Sequence, residues 1–401
     1  MELYLQMGFG MMDHAKTLIT SWGGGACILS PRDMKVDQMD KFCREIKNIG
    51  GKIALDPQFY QPYSDHEKLI NHSFWPSDFE TGSFFSGRAI NDMVDILWNE
   101  YNVKYQADSF FIPGRYSDVI DDDWKKYNDQ MIDVVTKKNI SIPRYASLAL
   151  SSEVVISEDQ VHNILEHVED WPVDGFYIVA RHSKDDYLVP DASWLAGLID
   201  LCAGLKLLGK KVIVGYSSQQ MLYLALAKVD AIASGTWVNV RTFSLEKFEQ
   251  PEEDQKKKKT TWYYCPQSLS EYQISYLDLA KRAGILDELK TDISFDSSYV
   301  NSLFLGAQPT TVEFSEREAF RHYLHCLRKQ TDHASQISYD DTYRYLNLLF
   351  NTAGRLSDYF KTKGVRAKYR DFSEVMDDTI AALDLFNATR GMVYKHRWNS
   401  L

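Results

Sequence analysis

Lys211–Phe243 reads KVIVGYSSQQMLYLALAKVDAIASGTWVNVRTF, and the fold is decided there. The run Val212-Ile213-Val214 is β-branched and apolar, and Gly215 with Tyr216-Ser217-Ser218-Gln219 stops it. Leu222, Ala225, Leu226 and Val229 then recur at three- and four-residue spacing, the period of a helix. A second apolar run, Ala231-Ile232-Ala233, ends at Ser234-Gly235. A strand, a helix and a strand in so short a span imply parallel strands. In folds built of such units the ligand sites lie beyond the strand C-termini, so the polar residues after each strand are the candidates for function.

Working outward, the same alternation recurs toward the N-terminus. Strands are expected at Leu3–Gln6, Ala26–Leu29, Lys52–Leu55, Ser109–Ile112, within Ile140–Leu150, and at Gly175–Val179. Helical patterns fall between them at Asp13–Ser21, Val36–Asn48, Ala89–Tyr101, Asp123–Lys138, from Ser157-Glu158 to Val168, and Ser193–Leu208. Eight strands with intervening helices over about residues 1–245 predict a (β/α)8 TIM-type barrel. The alternative is an open doubly wound sheet, which would want a phosphate-binding glycine motif, and neither GxGxxG nor GxxxxGK[ST] occurs.

Glu271–Ala283 is expected as the eighth barrel helix, which places the barrel at residues 1–290. Beyond it the strand pattern stops, and Glu313–Lys329, Tyr339–Lys363 and Phe372–Thr389 predict a helical C-terminal extension over 291–401. The segment 250–261, QPEEDQKKKKTT, is charged and aperiodic and reads as a solvated loop, with nucleic-acid contact by Lys256–Lys259 as the alternative. The long connection 61–87 holds His66, His72 and Trp75 and is either a lid or an aromatic-rich packing loop.

Composition bounds the partners. The net charge of −11 opposes loose binding to nucleic acid. No apolar stretch reaches the roughly 20 residues a membrane span needs, and the N-terminus does not read as a signal peptide. Five scattered cysteines without a CxxC suggest a reducing, cytoplasmic setting.

The segment GYSSQQMLYLALAKVDAIASG resembles the seventh and eighth strand units of the tRNA-guanine transglycosylase-like superfamily, whose members include enzymes that insert 7-deazaguanines into DNA. Lys228-Val229-Asp230 stands where that family has a GVD strand entry. Cys265-Pro266 and SLSEYQISYLDLAKRAGILDEL are similar to its zinc-adjacent helix, and Ile53-Ala54-Leu55-Asp56 to a strand ending in a base-recognising Asp. The resemblance spans about residues 50–290 and implies a barrel that binds or modifies a purine base, nucleotide or nucleic acid. Three departures qualify it. The family's nucleophilic Asp falls on Ala233, its zinc cysteines are reduced to Cys265, and its SGG is Pro57-Gln58-Phe59. A catalytically silent barrel acting as a nucleic-acid- or protein-binding subunit is therefore the alternative.

Two constellations carry chemistry at the expected mouth. Arg32, Arg115, Arg181 and Arg241 follow strands, as do Tyr60, Tyr116, Tyr216 and Ser217. Guanidiniums bind phosphate or carboxylate as a planar fork, so the set predicts an anionic or purine-like ligand, DNA or RNA among the candidates. The alternative is that each Arg pairs with a loop acid. Asp56 and His182 are the candidate acid–base groups. Asp33 and Asp13 read either as helix caps or as further acids, with His14 beside the latter. His322, His325 and Cys326 share a helix, but with Cys265 as their single distant partner no metal site and no cofactor are expected. A partner protein or a homo-oligomer is compatible with the silent reading.

Overall fold

A computed structural model describes residues 1–64, 66–76, 88–249 and 260–401. Eight parallel strands close on themselves: β1 (Glu2–Gln6), β2 (Gly25–Leu29), β3 (Gly51–Leu55), β4 (Ser109–Ile112), β5 (Arg144–Leu150), β6 (Gly175–Ala180), β7 (Lys211–Val214) and β8 (Ala231–Ser234). Each pairs with the next, and β8 returns to β1 with Leu3 opposite Ile232. The (β/α)8 barrel is thus closed, and a two-residue strand, Tyr116–Ser117, adds to the end of β5 beside Ala149 and Leu150. Inside it, Phe111 stacks on Tyr177 with ring centroids 4.6 Å apart. The lumen is filled with side chains rather than open.

The helices run in order: α1 (Met12–Trp22), α2 (Val36–Asn48), α3 (Arg88–Ile96, extended by a π-helical turn Leu97–Val103), α4 (Asp122–Lys137), α5 (Glu158–Val168) and α6 (Ala192–Leu207). Their starts are written locally. Asp121, Ser157 and Asp191 accept from backbone N–H groups at the heads of α4, α5 and α6, each worth about 1 kcal/mol. Asp33 and Asp13 do not cap: Lys35 takes the N-cap position of α2, and Asp13 lies within the first turn of α1. The seventh connection, expected as an α-helix, is a 3₁₀ segment, Gln219–Ala227, buried along its whole length.

The eighth helix is not where the sequence pattern suggests. Glu271–Ala283 divides into the second strand of a hairpin, β9 (Trp262–Cys265) with β10 (Ser270–Gln273), and helix α7 (Ile274–Arg282). These form a separate small core with Leu289, Leu303, Phe360 and Val365. The place between α1 and the seventh connection is taken by α8 (Glu316–Ala334). Its Tyr323, Leu324, Cys326 and Leu327 are buried in the barrel core. Arg317 and Arg321 pair with Asp13 at 3.1 and 2.8 Å, and the Met1 ammonium donates to Ser335 at 3.1 Å. Two further helices, α9 (Tyr339–Thr362) and α10 (Met376–Arg397), complete the helical C-terminal region, with α10 lying on α6. Among the described residues no helix is long and apolar enough to cross a membrane. Lys256–Lys259 and most of the charged segment 250–261 lie outside the described residues, as does part of 61–87.

Candidate functional site

All eight strand C-termini open on one side, and Asp56 stands at its centre. Its carboxylate follows β3, is 1% exposed, and collects three donors: Tyr60 Oη at 2.7 Å, the Gln58 N–H at 2.9 Å and Tyr177 Oη at 3.4 Å. Burial pushes its pKa up to about 7, against the pull of these donors. The Tyr177 hydroxyl also donates to Gln6 Oε1 at 3.0 Å, and Gln6 Nε2 is buried without a partner. Gly215 makes room for this arrangement, since a Cβ there would stand 2.4 Å from the Tyr177 hydroxyl. Any side chain at 215 would therefore displace Tyr177.

Gln58 ties the mouth together. Its amide donates to Ser30 Oγ at 2.8 Å and to Tyr216 Oη at 3.1 Å, and its Oε1 accepts from the Arg32 N–H at 2.9 Å. Gln58 and Tyr216 both hold left-handed backbone, at φ 55° and 51°. Such conformations are uncommon outside glycine and cluster at sites where the surroundings over-determine them. Ser217 serves the same turn. Its hydroxyl donates to Val214 O at 3.0 Å and its N–H to Ala233 O at 2.7 Å, so it is spent on the backbone. Ala233 itself is fully buried within β8.

The loop after β8 closes over Asp56. Phe243 packs against Tyr60, Tyr216 and Tyr116 at ring distances of 5.2, 5.4 and 6.4 Å, and Phe248 against Tyr60 at 5.1 Å. Ser64 Oγ donates to Phe248 O, Arg32 Nε to Lys247 O, and Ser244 Oγ to Asp185 Oδ2 at 3.0 Å. The Lys247 ammonium sits 4.4 Å over the Tyr216 ring and donates to Thr242 O. Burial, reinforced by Arg32, pushes its pKa well below the ordinary value.

The arginines do not converge as one anion site. Arg32 pairs with Asp33 at 3.0 Å, and Arg181 holds Asp185 in a fork at 2.9 and 3.1 Å. Arg241 turns to a buried knot. It meets Glu271 at 3.0 Å, donates to Gly235 O and Thr236 O, and lies 3.4 Å over the Tyr323 ring. Arg370 takes the other oxygen of Glu271 at 2.8 Å, and Tyr187 Oη donates at 2.6 Å to the oxygen that Arg241 holds. Burial pushes the Glu271 carboxyl up, but Arg370 and Arg241 outweigh it and hold its pKa below the ordinary value. Arg32 and Arg181 are therefore paired with loop acids, and Arg241 with Glu271 of strand β10.

Arg115 differs. It lies 5.1 Å from the Tyr127 ring and lines an open cleft of ≈ 690 Å³ beside the plugged mouth. The cleft is walled by Tyr60, Tyr63, Tyr116 and Trp124, with Asp118, Asp121, Asp123 and Glu249 on its rim. Tyr60 belongs to both compartments, because its ring lines the cleft and its hydroxyl reaches Asp56.

His182 is 4% exposed, with Asp186 at 3.5 Å from Nδ1 and Asp191 at 3.8 Å from Nε2, and packs edge-on to Trp194. No described contact joins it to Asp56. His72 bonds Pro31 O and Tyr101, and Trp75 packs on Phe59, so this part of the long connection is packing rather than an open lid. His66 accepts from the Lys68 N–H through Nδ1. His322 bonds Tyr264 O at 2.8 Å and stacks on Tyr263, while His325 bonds Asp296 O at 3.1 Å. The two rings thus serve different partners. Gln6, Gln58 and Tyr177 are the site residues that strand-end reasoning missed. A glutamine closing an apolar first strand was the one available signal.

The fold and site together define the class: a (β/α)8 barrel with a buried carboxylate under a plugged mouth and an aromatic cleft beside it. No family model matches the chain, and no curated protein does. Among solved structures it is similar to thiamine phosphate pyrophosphorylase from Pyrococcus furiosus, at 13% identity over 59% of this chain and 85% of that one, TM-score 0.31. It is similar also to a thermostable xylanase mutant from Cellvibrio japonicus (9%, 58% and 86%, TM-score 0.36) and an endo-β-1,4-mannanase from Thermotoga petrophila (10%, 63% and 73%, TM-score 0.38). Likenesses so distant say nothing of ligand.

Proposed function

We propose that this barrel binds an uncharged, planar, purine-like base or its nucleoside in the cleft beside the mouth, without covalent chemistry. The observation that carries the reading is the cleft wall. Tyr63 and Tyr116 present accessible rings, the buried Tyr60 and Trp124 back the wall behind them, and one arginine stands among four acidic rim residues. That balance of charge disfavours a phosphate-rich ligand, and net charge −11 adds to it. The volume suits a small ligand that is largely enclosed. Tyr60 would sense the ligand through its ring and relay it to Asp56 through its hydroxyl. The absence of covalent chemistry follows from Ala233, which offers no nucleophile.

A second reading, base exchange with Asp56 as general acid or base, is favoured by the pKa near 7. Calorimetric titration of guanine, adenine, guanosine, guanosine monophosphate and a short oligonucleotide separates the readings. Binding of base and nucleoside, weakened about tenfold in Tyr116→Ala, supports the first. Release of base from a nucleoside, lost in Asp56→Asn, would favour the second. Failure of every base and nucleoside to bind, or much tighter binding of the phosphorylated ligands, overturns the proposal.

A further inference from the structure

Helix α10 carries an apolar stripe that nothing among the described residues covers. Ala381, Leu385, Ala388 and Met392 recur at spacings of four, three and four, and all four are exposed, Leu385 by 53% and Met392 by 70%. The opposite faces of the helix are committed. Arg390 forks onto Asp200 of α6 at 2.7 and 3.0 Å, Tyr394 bonds Ala203 O, and Asp384 and Asn387 accept from Tyr343 and Tyr339 of α9. Spacing of this kind along one face is that of a helix meeting another helix.

The charges flanking the stripe say which helix. Asp377 and Asp378 border its N-terminal end, and Lys395 and His396 its C-terminal end. We propose that α10 pairs antiparallel with α10 of a second copy of this chain, about a two-fold axis passing between Phe386 and Asn387. In that register every position meets its complement. Asp377 and Asp378 face Lys395 of the second copy, with His396 on the Asp378 flank, Ala381 faces Met392, and Leu385 faces Ala388. Small residues stand against large ones and carboxylates against N–H donors, from both chains at once. A surface complementary to itself under a two-fold rotation is what an isologous dimer requires. A parallel pair would set Asp377 and Asp378 against themselves, which like charge opposes.

Lys395 already meets Asp340 at 2.9 Å, but both side chains are about half exposed, so the second copy's Asp378 joins that pair without desolvating a lone charge. The stripe from Ala381 to Met392 is about 16 Å long. A contact of that length is at the small end of specific interfaces, so the dimer forms in roughly the micromolar range.

Sedimentation equilibrium of the full chain across that range tests the proposal. The wild type dimerises, and Leu385→Glu with Met392→Glu shifts it to monomer with melting temperature unchanged, since both side chains are exposed. Two charge variants test the register. Asp377→Lys with Asp378→Lys alone, and Lys395→Glu with His396→Glu alone, each weaken self-association about tenfold or more. Mixed together they restore a dimer, because each then presents the ends the other lacks. A wild type that stays monomeric, a dimer unaffected by the Leu385 and Met392 changes, or a mixture that fails to recover overturns the proposal.

Discussion

The Tyr60 hydroxyl donates to Asp56 at 2.7 Å from a ring that also walls the open cleft. One side chain thus joins the outer compartment to a carboxylate that solvent does not reach. Tyr60→Phe removes the shortest of the three donors to Asp56. The expected result is an Asp56 pKa above about 7 and a stability loss of about 1.5–3 kcal/mol at pH 8, where the carboxylate is charged. Urea denaturation at pH 8 and pH 5 checks it, with the larger loss at pH 8.

Asp56 makes stability depend on pH. Its folded pKa lies above the ordinary 3.8, at about 7. Its contribution is fully present below the unfolded pKa and is lost as pH rises through the folded one. Wild-type stability should therefore fall between about pH 4 and pH 7, by at most roughly 4 kcal/mol. Asp56→Asn cannot ionise and should flatten that slope, melting above wild type at pH 8 and close to it at pH 5. An unchanged slope in the variant would assign the dependence to another group.

Arg241→Ala should act on stability rather than on ligand. It leaves Glu271 buried with one guanidinium fewer, and breaking a buried pair costs about 3–5 kcal/mol. Arg115→Ala should weaken ligand binding, because Arg115 lines the cleft, whereas Arg241→Ala should leave binding unchanged. Measuring both quantities on both variants checks the assignment, and equal ligand loss in both would undo it.

Leu324→Ala tests whether α8 is part of the barrel wall. The side chain is fully buried in the barrel core, so its truncation should cost about 2–5 kcal/mol. A loss confined to the C-terminal helices, seen as a separate unfolding step with β1 and α1 amides still protected from hydrogen exchange, would contradict that placement.

The strands were legible because each is a short, largely apolar run that ends at a turn or polar residue. Ser109–Ile112 and Arg144–Leu150 sit within the expected spans, and the observed edges of the other six extend the expected runs by a residue or so. The eighth helix was not legible, because an amphipathic pattern shows that a face is buried and not against what. Ile274–Arg282 and Glu316–Ala334 both carry such a face, and packing on α1 decided between them. The arginines misled for a related reason. A guanidinium after a strand signals the mouth, but its partners, Asp185 in the local loop and Glu271 in the distant strand β10, are not revealed by any spacing. Asp56 was legible from its place after β3; its partner Tyr177, and Gln6 which Tyr177 also bonds, were not, since they come from strands three and two steps away in the barrel order.

The position of α8 sets the order in which the protein can be completed. Strand β8 ends at Ser234, so all the strands exist long before the helix that covers β1 has been synthesised. Until Glu316–Ala334 emerges, the outer side of the first strand stands bare to water or to chaperones. Nascent chains fold from the N-terminus at the pace of translation, and this one makes its first strand wait for a helix that begins at Glu316. Its barrel is fully covered only by a helix that follows all of its strands, and a ribosome that stalls within the hairpin region would leave the outer face of β1 bare and prone to aggregation.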